Sequence, residues 1–213
     1  MTDDHCPCCG GPEKGSTEPD RATAHWITGA DVLEARLPDE LQSSLGRFLG
    51  VERVETLGEW AGAVRDHAGG GSITVDELCL SDAETAHWGT VDGDRYYFAC
   101  FYDAVILAAL SDRPVDVRTE SPGGTVVEAR VVGTEELTVT PDEAVFSFGI
   151  DDGVEPPADG DGPSLERGYA AICPYVRAFP TPTAYEEWAT RVPAATVALS
   201  LAGATELASE LVD

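Results

Sequence analysis

The spacing of apolar side chains divides the chain into a helical first part and a mixed second part. In "LPDELQSSLGRFLG", Leu37, Leu41, Leu45, Phe48 and Leu49 recur at helical spacing, and in "ETLGEWAGAVRDH" Leu57, Trp60 and Val64 do the same. After the Gly-rich break "GGGS", Thr74 with Glu77 three residues later predicts a capped helix start. From about residue 88, strand signals take over. "TVDGDRYYFA" joins a turn at Asp92-Gly93-Asp94 to an aromatic strand, and "ACFYDAVILAAL" then reads as an apolar helix. "PVDVRTES", "PGG" and "TVVEARVVG" predict a β-hairpin in which Val115, Val117 and Thr119 alternate. "ELTVTPDEAVFSFGI" predicts strand, turn and strand, and "DDGVEPPADGDGPS" an acidic loop. "GYAAICPYVRAF" predicts a further strand carrying Cys173, and "TPTAYEEW" a helix start with Thr183 and Glu186 in capping-box spacing. "TVALSL" and "GATELASELV" close the chain as strand and helix. Without regular strand–helix alternation, the class is α+β: a mainly antiparallel β core flanked by helices, with a small helical N-terminal unit. Three segments follow: a flexible Cys-rich tail over 1–20, a reduced helix-turn-helix-like helical domain over 21–87, and an α+β domain over 88–213.

Composition narrows the function. With 213 residues and 43% of them hydrophobic, the chain can bury a real core. Its formal net charge is −26, from 39 acidic and 13 basic side chains, with Lys14 the single lysine. That sign repels phosphate backbones and anionic lipid, so neither nucleic acid nor a membrane is an expected partner, and a DNA-binding regulator is disfavoured. No apolar run is long enough to span a bilayer. The start, "MTDDHCPCCGG", lacks the basic-then-apolar pattern of a secretory signal, and the expected location is cytoplasmic.

There are six cysteines, Cys6, Cys8, Cys9, Cys79, Cys100 and Cys173, expected as reduced thiols in that compartment. The first three sit with His5 in the tail. A structural zinc site needs a second ligand pair at its own spacing, and Cys79 stands alone, so a zinc ribbon is not supported. His25, His67 and His87 are scattered and read as surface or packing residues. "GGGS" lacks the lysine and spacing of a phosphate loop.

The chemistry concentrates in "ACFYDAVILAAL". Cys100 and Asp103 are three apart and share a helix face with Leu107 and Leu110, so Asp103 points where leucines point. A carboxyl buried there tends to keep its proton. Cys100 lies at the helix N-terminus, where the backbone dipole favours a thiolate. The pair offers a soft nucleophile beside a proton donor. The spacing alone favours the plainer reading, a packed cysteine and an aspartate satisfied by backbone donors, since perturbed carboxylates also occur in structural networks.

Two segments carry a family resemblance. "DRYYFACFYDAVILAALSDRPVDV", residues 94–117, and "CPYVRAFPTPTAYEEWA", residues 173–189, resemble the two cysteine segments of the organomercurial (alkylmercury) lyases. The likeness covers roughly residues 84–213 and is looser between those segments. It implies that Cys100 and Cys173 bind mercury and that Asp103 is the catalytic aspartate. The implied reaction is protonolysis of a carbon–mercury bond, giving a hydrocarbon and Hg(II) held by Cys100, Cys173 and Asp103. No cofactor is required, since mercury belongs to the substrate. Solvent thiols, or a mercuric reductase as partner, would take up the ion. Two thiolates suit a soft ion better than oxygen or nitrogen donors, and a carboxylic acid can protonate the departing carbon.

This chain departs from the family pattern at Pro174, where a second cysteine often follows the first, and near Ser121, where a structural cysteine can stand. It also departs in its shortened N-terminal unit. The alternative is a non-enzymatic carrier of soft metals, which needs the two thiols but no proton donor.

The excess carboxylate reads as a solvated surface suited to concentrated salt, hence a halophilic source. Chemical denaturation across a salt series tests this: the protein should unfold below molar salt, and equal stability in dilute buffer counts against it.

Overall fold

The computed structural model describes residues 25–29, 31–67, 73–111, 113–132, 136–157 and 163–212. The tail with Cys6, Cys8 and Cys9 lies outside them. The first two helices form where the apolar period predicts: α1 over Asp39–Leu49 and α2 over Leu57–His67. Acidic Asp39 and Glu40 open α1, Arg47 closes it, and Gly50 caps it in the left-handed region at φ 74°, all matched to the helix dipole and its terminal carbonyls. The capping box forms as predicted, with Thr74 N–H donating to Glu77 Oε2 at 2.8 Å. It opens only a short 3₁₀ turn, Val75–Glu77, not a helix.

The β signals resolve into two antiparallel sheets. The first has the order β2-β1-β3-β4-β5, built from β1 (His87–Val91), β2 (Asp94–Phe98), β3 (Val115–Glu120), β4 (Val126–Val132) and β5 (Glu136–Thr140). Asp92 and Gly93 both take positive φ (53° and 93°), the conformation a two-residue hairpin turn needs between β1 and β2. On β3 the predicted alternation holds: Val115, Val117 and Thr119 are buried while their neighbours are not. The second sheet, β7-β6-β8, comprises β6 (Val145–Asp151), β7 (Arg177–Phe179) and β8 (Ala194–Ser200). Both β6 and β8 are buried on both faces, which is why they read as apolar runs and not as alternations. The two strands predicted on either side of Pro141 both form, and they belong to different sheets.

Helix α3, Phe101–Ala109, is buried at every residue from Phe101 to Ala108. Such an all-apolar helix must be covered on all sides. It lies on the first sheet and packs against the last helix, α6 (Leu201–Val212), where Tyr102 Oη donates to the Ala204 carbonyl at 3.2 Å. Its aromatic side chains reach the second sheet: the Tyr102 and Phe146 rings are 5.0 Å apart and those of Phe101 and Phe146 6.1 Å. One connected core runs from Leu41, Leu45 and Trp60 through Phe148 to Leu207, so α1 and α2 share their apolar faces with the sheets.

The predicted strand through Cys173 is corrected. Helix α4 (Leu165–Ala171), capped by Ser164, precedes a 3₁₀ turn, Cys173–Tyr175, and β7 begins only at Arg177. Pro174 lacks an N–H to give to a ladder and fits the first turn of a helix, so the segment turns before it extends. The cap of α5 (Pro182–Ala189) also moves: Thr181, not Thr183, accepts from Ala184 N–H at 3.2 Å, because Pro182 occupies the first helical position.

Strand β6 fixes the turn that carries Cys173. Ser147 Oγ, fully buried, donates to the Tyr175 carbonyl at 2.9 Å and accepts from Arg177 N–H at 3.3 Å. At Gly149 a Cβ would stand 2.7 Å from Thr196 Cγ2 and 2.9 Å from the Ala195 carbonyl on β8, and 3.2 Å from Tyr175 Cβ, so glycine is required by the approach of β8 and also makes room for the turn. Replacing Ser147 by alanine leaves two backbone groups without their partner. We expect a loss of about 1–3 kcal/mol in urea unfolding, with Gly149→Ala also destabilising.

Candidate active site

Cys100 is the residue before the first turn of α3, extended at φ −131° and ψ 159°. That conformation belongs to the end of β2 and lets the thiol reach forward over the turn. Its Sγ donates to Asp103 Oδ2 at 2.9 Å, so the predicted pair is formed. Both are buried, Cys100 at 3% and Asp103 at 7% exposure. Burial pushes the Asp103 carboxyl above its usual range; the Cys100 thiol and the backbone N–H groups of Cys79 and Asp103 itself oppose this in part. The carboxyl therefore has donors on hand yet holds its proton more tightly than an exposed aspartate.

Cys173 meets this pair from the other sheet. Its thiol has the thiols of both Cys100 and Cys79 as neighbours. These two neighbours, then burial, then the nearby charges of Cys100 and Asp103, hold the Cys173 thiol far above the ordinary range. A thiol so placed keeps its proton until something replaces it. The hydroxyl of Tyr102 is likewise pushed upward, by burial first and then by Cys100 and Asp103.

The two cysteines and the aspartate lie at a cavity of about 270 Å³. Its walls are mostly apolar, among them Phe48, Trp60, Val64, Ile106, Phe148 and Ile172. Phe48 comes from α1 and Trp60 and Val64 from α2, so the short N-terminal helices cover the site. The space suits a small hydrocarbon group with its reactive end toward sulfur.

Sequence reasoning treated Cys79 as solitary. The structure places it beside the site: its carbonyl accepts from Ala99 N–H at 2.9 Å, and Leu80 bridges Phe98. A local signal existed, since "ELCL" has an apolar edge, but the pairing spans some twenty residues. His87 is buried, as a packing residue. Its Nδ1 lies 2.6 Å from Thr119 Oγ1 and its Nε2 3.1 Å from Arg177 Nη1. Burial and then the Arg177 charge lower its pKa to about 4, so it is neutral near pH 7. Ser121 is also buried, with Oγ accepting from Thr125 N–H at 3.1 Å in the hairpin turn. Among the described residues no three His, Cys, Asp or Glu side chains surround a point as a ready-made metal cage. The thiols instead meet in pairs about Cys173.

Residues 80–213 match the family described as MerB, alkylmercury lyase. The alkylmercury lyase of Streptomyces lividans is 33% identical over 135 residues, covering 63% of this chain and 57% of that protein. The alkylmercury lyases of Bacillus cereus and Clostridium butyricum are each 32% identical over 145 residues, covering 64% of this chain and 60% of theirs. The chain thus spans less than two thirds of the length of these relatives. A crystal structure of the mercury-bound form of MerB2 is 14% identical, with a TM-score of 0.46 over 82% of this chain and 91% of that one. The family match takes in α3 with Cys100 and Asp103, the turn with Cys173, and well over half of the residues, and on it the chain belongs to the alkylmercury lyase family.

Proposed function

We propose that the protein cleaves the carbon–mercury bond of alkyl- or aryl-mercury compounds by protonolysis and so detoxifies them. The observation that carries this reading is that Cys100, Asp103 and Cys173 line the same, mostly apolar cavity, with Cys100 bonded to Asp103. The family membership of the chain supports it.

The organic group enters the cavity and leaves water, a gain of about 25 cal/mol per Å² of apolar surface buried. Mercury meets sulfur. One thiol, Cys100, binds it, displacing the counter-ligand, and passes its proton to the Asp103 carboxylate at the far end of the 2.9 Å hydrogen bond. Cys173 adds as the second sulfur and gives up its proton to solvent. Its reluctance to ionise alone ends here, because mercury replaces the proton. Two sulfur donors raise electron density on the carbon. Asp103 then returns its proton to that carbon as the carbon–mercury bonding pair goes to carbon. The products are the hydrocarbon, an Asp103 carboxylate and Hg(II) between two thiolates. No electrons are gained or lost overall. Tyr102 and the apolar wall keep water from the carboxyl, which preserves the raised proton affinity.

The partners of this reaction are the organomercury substrate, solvent thiols that remove the ion, and a mercuric reductase that would accept it. The free thiols fit a reducing compartment, the cytoplasm. Among the described residues no helix is long and apolar enough to cross a membrane. The competing reading is a thiol carrier of soft metals, for which Asp103 has no task.

Benzene release from phenylmercury in high salt with excess thiol separates the two. The parent protein should release benzene, and Cys100→Ser, Cys173→Ser and Asp103→Asn should each lose about 100-fold or more. Binding of mercury by the parent without benzene would establish the carrier instead.

Asp103→Asn has a second expected effect, on stability. The folded-state pKa of Asp103 is raised, so its contribution is fully present below the unfolded value of about 3.9 and is lost as pH rises through the folded value. The variant should therefore gain on the parent as pH rises from about 4 toward neutrality. A gain of about 1 kcal/mol appears as roughly 2–4 °C in Tm.

A further inference from the structure

Bond cleavage as derived above uses two sulfurs, and the site has three. Cys79 sits one residue outside the segment matched to the family, and nothing in the reaction yet employs it. Its place is fixed by backbone pairing. The stretch from Leu78 to Ser81 runs antiparallel to the end of β2, with Ala99 N–H donating to the Cys79 carbonyl at 2.9 Å and Ser81 N–H to the Tyr97 carbonyl at 2.8 Å. Cys79 is thereby locked beside Cys100, on the chain that enters the site next to it. Its own N–H lies close enough to the Asp103 carboxyl to oppose in part the effect of burial there. The Tyr169 hydroxyl lies against its sulfur and is anchored on the Glu77 carbonyl at 2.8 Å. Its thiol lies near that of Cys173, which also has Cys100 as a neighbour. Cys100 is buried, whereas Cys79 and Cys173 are only partly so. The third sulfur thus lies on the more exposed side of the site, close to the pair that flanks the carboxyl.

We propose that Cys79 is a third sulfur ligand for mercury, joining Cys100 and Cys173 on Hg(II) once the carbon has left. This rests on the lyase reading for the origin of the ion, though not for its binding. A soft ion with two thiolates accepts a third in preference to water or carboxylate oxygen. The step is a ligand addition without redox change. The Cys79 sulfur–hydrogen bond breaks, a sulfur–mercury bond forms, and the proton goes to the Asp103 carboxylate that protonolysis leaves behind. The addition would therefore also recharge the acid for the next turnover. Cys79 and Cys173 are the partly exposed members of the set, and it is from their side that an external thiol would begin to remove the ion.

X-ray absorption at the mercury edge tests this. The protein would be the full chain with Cys6→Ser, Cys8→Ser and Cys9→Ser, loaded with one equivalent of Hg(II) in thiol-free buffer. Three sulfur neighbours are expected in that protein and two in the same protein with Cys79→Ala. Retention of mercury against a competing monothiol should fall by about tenfold in the second. Two sulfurs in the first protein would overturn the proposal without any appeal to how a variant folds, and so would three sulfurs that persist after Cys79→Ala. Benzene release is measured in parallel on both proteins. Release with only two sulfurs rejects the third ligand and keeps the lyase. Three sulfurs without release keep the third ligand and reject the lyase.

Discussion

A thiol donating to a carboxyl inside an apolar wall is the contact on which the rest of the site depends. Asp103 belongs to a helix whose other buried residues are apolar or aromatic, and it is tolerable there because Cys100 and two backbone N–H groups supply donors. The same burial that makes it costly makes it an acid. Exposing the first turn of α3 would relieve the cost and lower the carboxyl's raised proton affinity. This explains why α1 and α2, short as they are, share the core and line the cavity.

The second sulfur comes by a different route. Cys100 stands at the exit of the first sheet, while Cys173 sits on a turn bound to the second through Ser147 and pressed close at Gly149. Phe146, between the Phe101 and Tyr102 rings and its own strand, joins the two. Functional and structural residues are therefore hard to separate here. Ser147 is not one of the proposed reacting groups, yet it holds the backbone of the turn that carries Cys173.

Much of this was legible in the sequence, and the pattern of what was not is informative. The helices at 39–49 and 57–67, the 92–93 hairpin and the Cys100–Asp103 pair all follow from local spacing, which one helix or one turn determines. The division of "ELTVTPDEAVFSFGI" between two sheets did not, because pairing partners lie far along the chain and periodicity carries no information about them. The turn at Cys173 was missed because an apolar run bounded by α4 and β7 looks like a strand until Pro174 is given its full weight. Cys79 looked solitary for the same reason: its neighbours, Cys100 and Cys173, are distant in sequence and adjacent only after β2 and α4 have been placed.

The clamp of Ser147 and Gly149 on the Cys173 turn has a mechanical consequence. An ion held by sulfur from both sheets would act as a staple across their seam, closing a covalent-like loop between positions 100 and 173. Anything that binds only the folded arrangement raises its stability by mass action. The product-loaded protein would then be the most rigid species in the cycle, and emptying the site would be the event that lets the seam relax.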